Sequence, residues 1–233
     1  MIFDKQAMNF NFEDFSKPSE EPASTQNAGH IFTKDWFSCH EPVWLDILMK
    51  LRPERILEIG SFEGKSTCFL IDTLSQVNES EIHCVDTWEG GLEHKKKNLD
   101  MSEFEERFIH NVQVSLSKAH FKTSLQVHKG LSSDELPKLL ADGKRGYFDF
   151  IYIDGSHTAP DVLSDAVMAF QLLRVGGVMV FDDYLWIMSE AQKKDPISHP
   201  KIAIDAFTNI YCRKLNVFTY TPLYQLYVEK VSE

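Results

Sequence analysis

Residues 55–64 read RILEIGSFEG, and the next ten are KSTCFLIDTL. The first half is an apolar run of strand length that stops at Gly60. Beyond Gly64 the apolar residues Cys68, Phe69, Ile71 and Leu74 fall at helical spacing, so the stretch predicts a strand over 55–60, a glycine turn and a helix over 64–76. The same unit recurs along the chain. Strands are expected at 81–86 (EIHCVD), 123–129, 148–154 (FDFIYID) and 178–181 (VMVF). Helices are expected between them at 101–119, at 133–141 behind a serine cap, and at 161–173, where Gly176 and Gly177 end the segment. A helix over 42–51 precedes the first strand and another over 201–212 follows the fifth. Strands at 216–220 and 224–231 are joined by a few residues around Pro222, a connection short enough only for an antiparallel hairpin. The expected fold is therefore α/β: a mostly parallel seven-stranded sheet with an antiparallel last strand and helices on both faces.

The whole chain has 233 residues, 43% hydrophobic and 25% charged, the composition of an ordinary globular protein. At that length one core buries roughly 70% of the surface exposed by the unfolded chain, so no staple is needed. Residues 1–29 are polar, with Phe3, Phe10, Phe12 and Phe15 as their aromatics, and are expected to form a flexible N-terminal arm ahead of one domain over 30–233. That arm could reach a neighbouring subunit, so a homo-oligomer is compatible with the sequence. The 24 basic and 35 acidic residues leave a net charge of −11, which argues against nucleic acid or a membrane surface as partner. The first fifteen residues carry acids and no apolar run, so no targeting peptide is read and a cytoplasmic location is expected. Cys39, Cys68, Cys84 and Cys212 lack ligand spacing and read as reduced thiols.

In an open parallel sheet, ligands bind beyond the carboxyl ends of the strands, where the strand order reverses. The polar residues there are Glu58 and Gly60, Asp86, Gly130 to Ser132, Asp154, and Asp182 with Asp183. The first turn is one residue short of a phosphate-binding GxxxxGK[ST] loop, and Phe62 stands where a GxGxxG dinucleotide turn needs glycine. The turn suits a ligand that needs close backbone approach but no phosphate site. Asp86, 26 residues beyond Gly60, is placed to accept hydrogen bonds from both ribose hydroxyls of an adenosine. Asp154, Asp182 and Asp183 would repel one another unless a cation lay among them, and an all-oxygen set suits Mg²⁺.

With these motifs in order, the sequence resembles the class I S-adenosylmethionine-dependent methyltransferases, over about residues 33–231. EIGSFEG is similar to their first motif, Asp86 to the ribose-binding acid, and FDFIYIDGSH with LLRVGGVMVFDDY to their fourth and fifth strands. DTWEGG from Asp86 and DGSH from Asp154 narrow the likeness to the small-molecule O-methyltransferases related to macrolide-sugar and catechol enzymes. The resemblance implies the Rossmann-like fold of that class and a S-adenosylmethionine site. Glu58, Gly60, Ser61 and Gly64 would lie at the methionine end, Asp86 at the ribose, Thr87 or Trp88 on the adenine face, and Gly130 to Ser132 at the adenine edge, with Asp154 adjoining. It also implies a divalent cation on Asp154, Asp182 and Asp183. His157, three residues past Asp154, is the expected general base, where catechol-type relatives carry lysine. Trp36, Phe37, His40 and the loop 184–200 are candidate lid residues over a small hydroxyl-bearing acceptor, a sugar or a phenol. Two other readings compete: a P-loop-like nucleotide hydrolase using Lys65 and Ser66, and a catalytically silent cofactor-binding member of the fold.

Overall fold

A computed structural model describes residues 29–91, 101–187 and 195–233. Residues 1–28 of the N-terminal arm expected over 1–29, the residues 92–100 that include His94 and Lys95 to Lys97, and part of the 184–200 loop lie outside these.

A single 3-10 turn, Ser38–His40, leads into α1 (Glu41–Leu51), which carries Pro42 in its first turn, where no N–H is needed. It stops at Arg52, which takes a left-handed φ of 46° ahead of Pro53. Then follow β1 (Arg55–Ile59), α2 (Lys65–Leu74), β2 (Ser80–Asp86), α3 (Ser102–Lys118), β3 (Thr123–Lys129), α4 (Ser132–Ala141), β4 (Phe148–Ile153), α5 (Ala159–Leu172), β5 (Leu173–Phe181), α6 (Lys201–Ile210), β6 (Leu215–Val217) and β7 (Leu226–Lys230). The sheet order is β3-β2-β1-β4-β5-β7-β6, with β1 to β5 parallel and β7 antiparallel to both β5 and β6. The strand order reverses between β1 and β4.

The two-residue period of the strands divides the core into two layers. Ile56, Ile82, Cys84, Phe150, Tyr152, Val178 and Val180 face α1, α2 and α3. Leu57, Ile59, Val85, Ile151, Ile153, Met179 and Phe181 face α4, α5 and α6. Glu58 and Asp154 fall on the same alternation as Ile56 and Tyr152, which aims both toward the first layer. Cys68 and Cys84 are buried thiols, and all four cysteines are free. No described helix is long and apolar enough to cross a membrane.

Two expectations at element ends are corrected. Gly176 and Gly177 do not terminate α5: the helix ends at Leu172 and β5 starts at once. The glycines lie inside the strand, beside a register shift between Phe148 and Phe150, and a Cβ on Gly177 would meet Asp149 O at 2.9 Å. They serve close backbone approach at a bulge. The serine cap on α4 is also absent. Leu131 precedes the helix without a side-chain bond, and Ser132 directs its hydroxyl to the buried Asp165 of α5 instead.

Candidate active site

The parallel strands are zipped past their ends by backbone bonds that set the site residues in a row. Gly130 N–H donates to Asp86 O at 3.0 Å, Gly60 to Val85 O at 2.8 Å, Asp154 to Ile59 O at 2.7 Å and Asp182 to Ile153 O at 3.0 Å. Gly60 sits at the reversal point with φ +87°, and a Cβ there would lie 2.0 Å from Asp154 O. Only glycine lets β1 and β4 meet this closely.

The first turn is organised from inside. Glu58 is fully buried, and its carboxyl accepts hydroxyls from Ser61 at 2.7 Å, Ser66 at 2.5 Å and Thr67, with the Cys84 thiol adding a fourth donor at 3.5 Å. Burial still pushes this carboxyl above its usual range. Glu58 and Ser61 therefore hold the turn together and do not present oxygens to a ligand's methionine end. Gly64, at φ +78°, caps α2 and packs against Phe108. With Ser66 spent on Glu58 and the Lys65 ammonium on Asp35 at 2.6 Å, neither group a nucleotide hydrolase would need is available.

Asp86 closes the turn from β2. Its Oδ2 accepts the N–H groups of Ser61 at 2.7 Å and Phe62 at 3.0 Å, and its Oδ1 accepts that of Trp88 at 2.8 Å. A carboxylate offers about four lone-pair positions, so one remains, enough for one ribose hydroxyl rather than two. Thr87 is half-buried, and its hydroxyl accepts Glu89 N–H at 3.1 Å. Trp88 is only 5% exposed. Its indole donates to Phe62 O at 2.9 Å and its ring lies 5.0 Å from that of Phe108. It locks the loop onto the core and offers no stacking face. Ser132, half-buried beside Gly130, is tied to Asp165, whose carboxyl burial pushes up to about 6.

The second cluster lies at the ends of β4 and β5. Asp154, His157 and Asp183 are the one group of three metal-capable side chains among the described residues, with ligand atoms all within 4.8 Å of one another. His157 Nε2 is 2.9 Å from Asp183 Oδ2, and its ring packs tilted against that of Trp186, with centroids 4.4 Å apart. Asp182 was expected among the ligands, and the structure turns it aside. Its Oδ1 accepts Asp183 N–H at 2.8 Å, and its Oδ2 accepts the Tyr152 hydroxyl, which also reaches Asp154 at 3.1 Å. Burial and the neighbouring carboxylates raise Asp154 well above the usual range and push Asp182 up to about 7. A divalent cation would relieve that repulsion, so the residues fit one. Asp183 holds a left-handed φ of 57°, backbone strain of the kind found at functional sites.

The segment ahead of α1 covers the first turn. Trp36 stacks on Phe62 at 5.3 Å, and Phe62 on Phe104 at 4.5 Å. Buried Glu63 anchors the segment by accepting Thr33 N–H and hydroxyl, both at 2.7 Å, and the Arg107 guanidinium at 2.6 Å. Of the expected lid residues, Phe37 is instead core, packed edge-on to Trp44. His40 is 2% exposed and stacked on Tyr224, and burial pushes its imidazole down to about 4.

Residues 57–184 match the family model described as "Methyltransferase domain". That span is more than half of the sequence. The chain belongs to this methyltransferase family. It is 26% identical over 150 residues to caffeoyl-CoA O-methyltransferase 1 of Eucalyptus globulus, covering 64% of this chain and 52% of that one. It is 27% identical over 184 residues to tricin synthase 1 of Oryza sativa subsp. japonica, covering 77% and 64%. This methyltransferase-family chain spans about half the length of the first of these relatives. Its fold matches an O-methyltransferase from Bacillus cereus in complex with SAH (TM-score 0.60, 17% identity, 85% and 83% coverage). It also matches the MycE methyltransferase of the mycinamycin pathway in complex with Mg, SAH and mycinamycin VI (TM-score 0.56, 18% identity, 85% and 51% coverage).

Tyr152, Tyr224, Gln225 and Asp165 were not among the sequence-derived candidates. Tyr152 had a signal, since the two-residue period puts it on the face of Asp154. Tyr224 and Gln225 had none, because their place depends on the register of the last strand.

Proposed function

We propose that this protein is a S-adenosylmethionine-dependent O-methyltransferase that methylates a hydroxyl of a small sugar or phenolic molecule with a divalent cation bound. The observation that carries this reading is the row Gly130, Asp86, Gly60, Asp154 and Asp182, set by consecutive backbone bonds, with His157 and Asp183 at its end. The relatives named O-methyltransferases and the neighbours solved with SAH and Mg support it.

When bound, S-adenosylmethionine supplies an electrophilic methyl group and the cation a Lewis acid that acidifies a coordinated hydroxyl. The chain's own residues do the rest. Gly60 and the turn it opens admit the cofactor backbone-close, Asp86 takes one ribose hydroxyl, and Thr87, Gly130 and Ser132 border the adenine. Trp88 supports that border from beneath. Asp154 and Asp183 hold the cation, with Asp182 adjoining them. His157 accepts the acceptor's hydroxyl proton, held by Asp183 and by the Trp186 ring. The Trp36 and Phe62 rings exclude water from the first turn, and in-line transfer then requires little beyond orientation.

The test is transfer of labelled methyl from S-adenosylmethionine across a panel of sugars, phenols and other hydroxyl-bearing metabolites. Turnover with Mg²⁺ that EDTA removes is expected. Turnover unchanged by EDTA would reject the cation, and no transfer to any member, despite bound cofactor, would favour the silent reading.

A further inference from the structure

The antiparallel pairing of β7 with β5 runs Val178 opposite Glu229, Met179 opposite Val228, Val180 opposite Tyr227 and Phe181 opposite Leu226. Continued past the strand ends, this count sets Asp182 beside Gln225 and Asp183 beside Tyr224. Backbone bonding follows it, with Tyr184 N–H donating to Tyr224 O at 2.9 Å.

The register thereby sets one donor-bearing side chain of the last strand beside each aspartate. The Tyr224 hydroxyl is directed to the Asp183 carboxylate, and its ring is braced by His40 at 5.7 Å. Gln225 is 1% exposed, and its Oε1 accepts the Trp44 indole N–H at 2.9 Å and the Tyr227 hydroxyl at 2.5 Å. An indole N–H can only donate, so this atom must be the amide oxygen and the orientation of the amide is fixed. Its Nε2 makes no hydrogen bond among the described residues, and the carboxylate beside it in register is that of Asp182.

We propose that Tyr224 and Gln225 are positioning residues for the cation site: the last strand carries its register into the site and orients Asp183 and Asp182 one by one. The inference rests on the divalent-cation reading of this cluster. Carboxylates that ligate metals, as Asp183 would, are held by outer hydrogen bonds whose loss costs roughly 10–100-fold in metal affinity, and Asp182 bears on that ligand by accepting the Asp183 N–H at 2.8 Å.

The experiment is Mn²⁺ titration of the full chain, saturated with S-adenosylhomocysteine, followed by the electron paramagnetic resonance of free Mn²⁺. Wild type is expected to bind one ion. Tyr224→Phe and Gln225→Leu should each bind it about 10-fold or more weakly, with S-adenosylhomocysteine affinity unchanged. Variants that match wild type would overturn the positioning roles, whereas a wild type that binds no Mn²⁺ would overturn the cation reading and this inference with it. Should Gln225→Leu fail to fold, Tyr224→Phe, altering a half-buried hydroxyl, decides the question alone.

Discussion

Gly60→Ala is expected to abolish detectable cofactor binding and to lower the melting temperature by about 10 °C, the shift that about 3 kcal/mol produces in a domain of this size. The residue holds φ +87°, where a side chain costs roughly 1–2 kcal/mol. The added methyl would also stand 2.0 Å from Asp154 O, 2.5 Å from Asp154 C and 2.8 Å from Gly155 Cα, all backbone atoms that cannot swing aside. Forcing atoms into a packed site costs about 1–3 kcal/mol more. Relief requires the ends of β1 and β4 to part, which breaks the strand-end row at its reversal point. Gly143→Ala supplies the comparison, since Gly143 has φ +80° but nothing within 4 Å of a Cβ. That variant should lose only the conformational part and keep its cofactor affinity. Thermal melts and S-adenosylhomocysteine titrations of the two variants separate close approach from backbone strain.

His157→Ala is expected to lower the methyl-transfer rate by about 10²–10⁴-fold, the usual range for loss of a positioned general base. Cofactor affinity should stay within a few-fold, because His157 pairs with Asp183 and Trp186 beyond the ends of β4 and β5 while Asp86 holds the first turn from β2. The side chain lies between Asp183 at 2.9 Å and the Trp186 ring at 4.4 Å, so its removal opens a space of imidazole size. Imidazole added to the buffer should then restore part of the rate. Single-turnover measurement with labelled cofactor reads both effects. A variant within a few-fold of wild type would remove His157 from the chemistry.

The fold was legible because the signals were redundant. Apolar runs of strand length at 55–60, 148–154 and 178–181 alternate with helical spacing, and the Pro222 connection could only be a hairpin, as β6 and β7 show. Gly176 and Gly177 misled because a glycine pair serves a bulge as well as a helix end, and sequence does not show which neighbour approaches. Strand-end chemistry was legible to the level of place. Asp86, Asp154 and Asp183 stand where the sheet puts them, since a residue at the end of a parallel strand has nowhere else to go. Orientation was not legible. Glu58 turns inward because Ser61, Ser66 and Thr67 supply three hydroxyls at a spacing set by the turn and the first helical turn of α2. Asp182 turns toward Tyr152 because the phenol lies on the same strand face as Asp154. Trp88 is buried because its indole N–H finds the Phe62 carbonyl across the first turn. The Asp182 and Trp88 outcomes depend on partners distant in sequence, and that of Glu58 on the direction in which the turn aims hydroxyls close by in sequence.

The central claim is that the strand-end row holds S-adenosylmethionine at the reversal between β1 and β4. Its most direct test is calorimetric titration of the full chain with S-adenosylhomocysteine. One molecule bound per chain, and none bound by Gly60→Ala, is the predicted result. An absence of heat with wild-type protein at millimolar ligand would contradict the account.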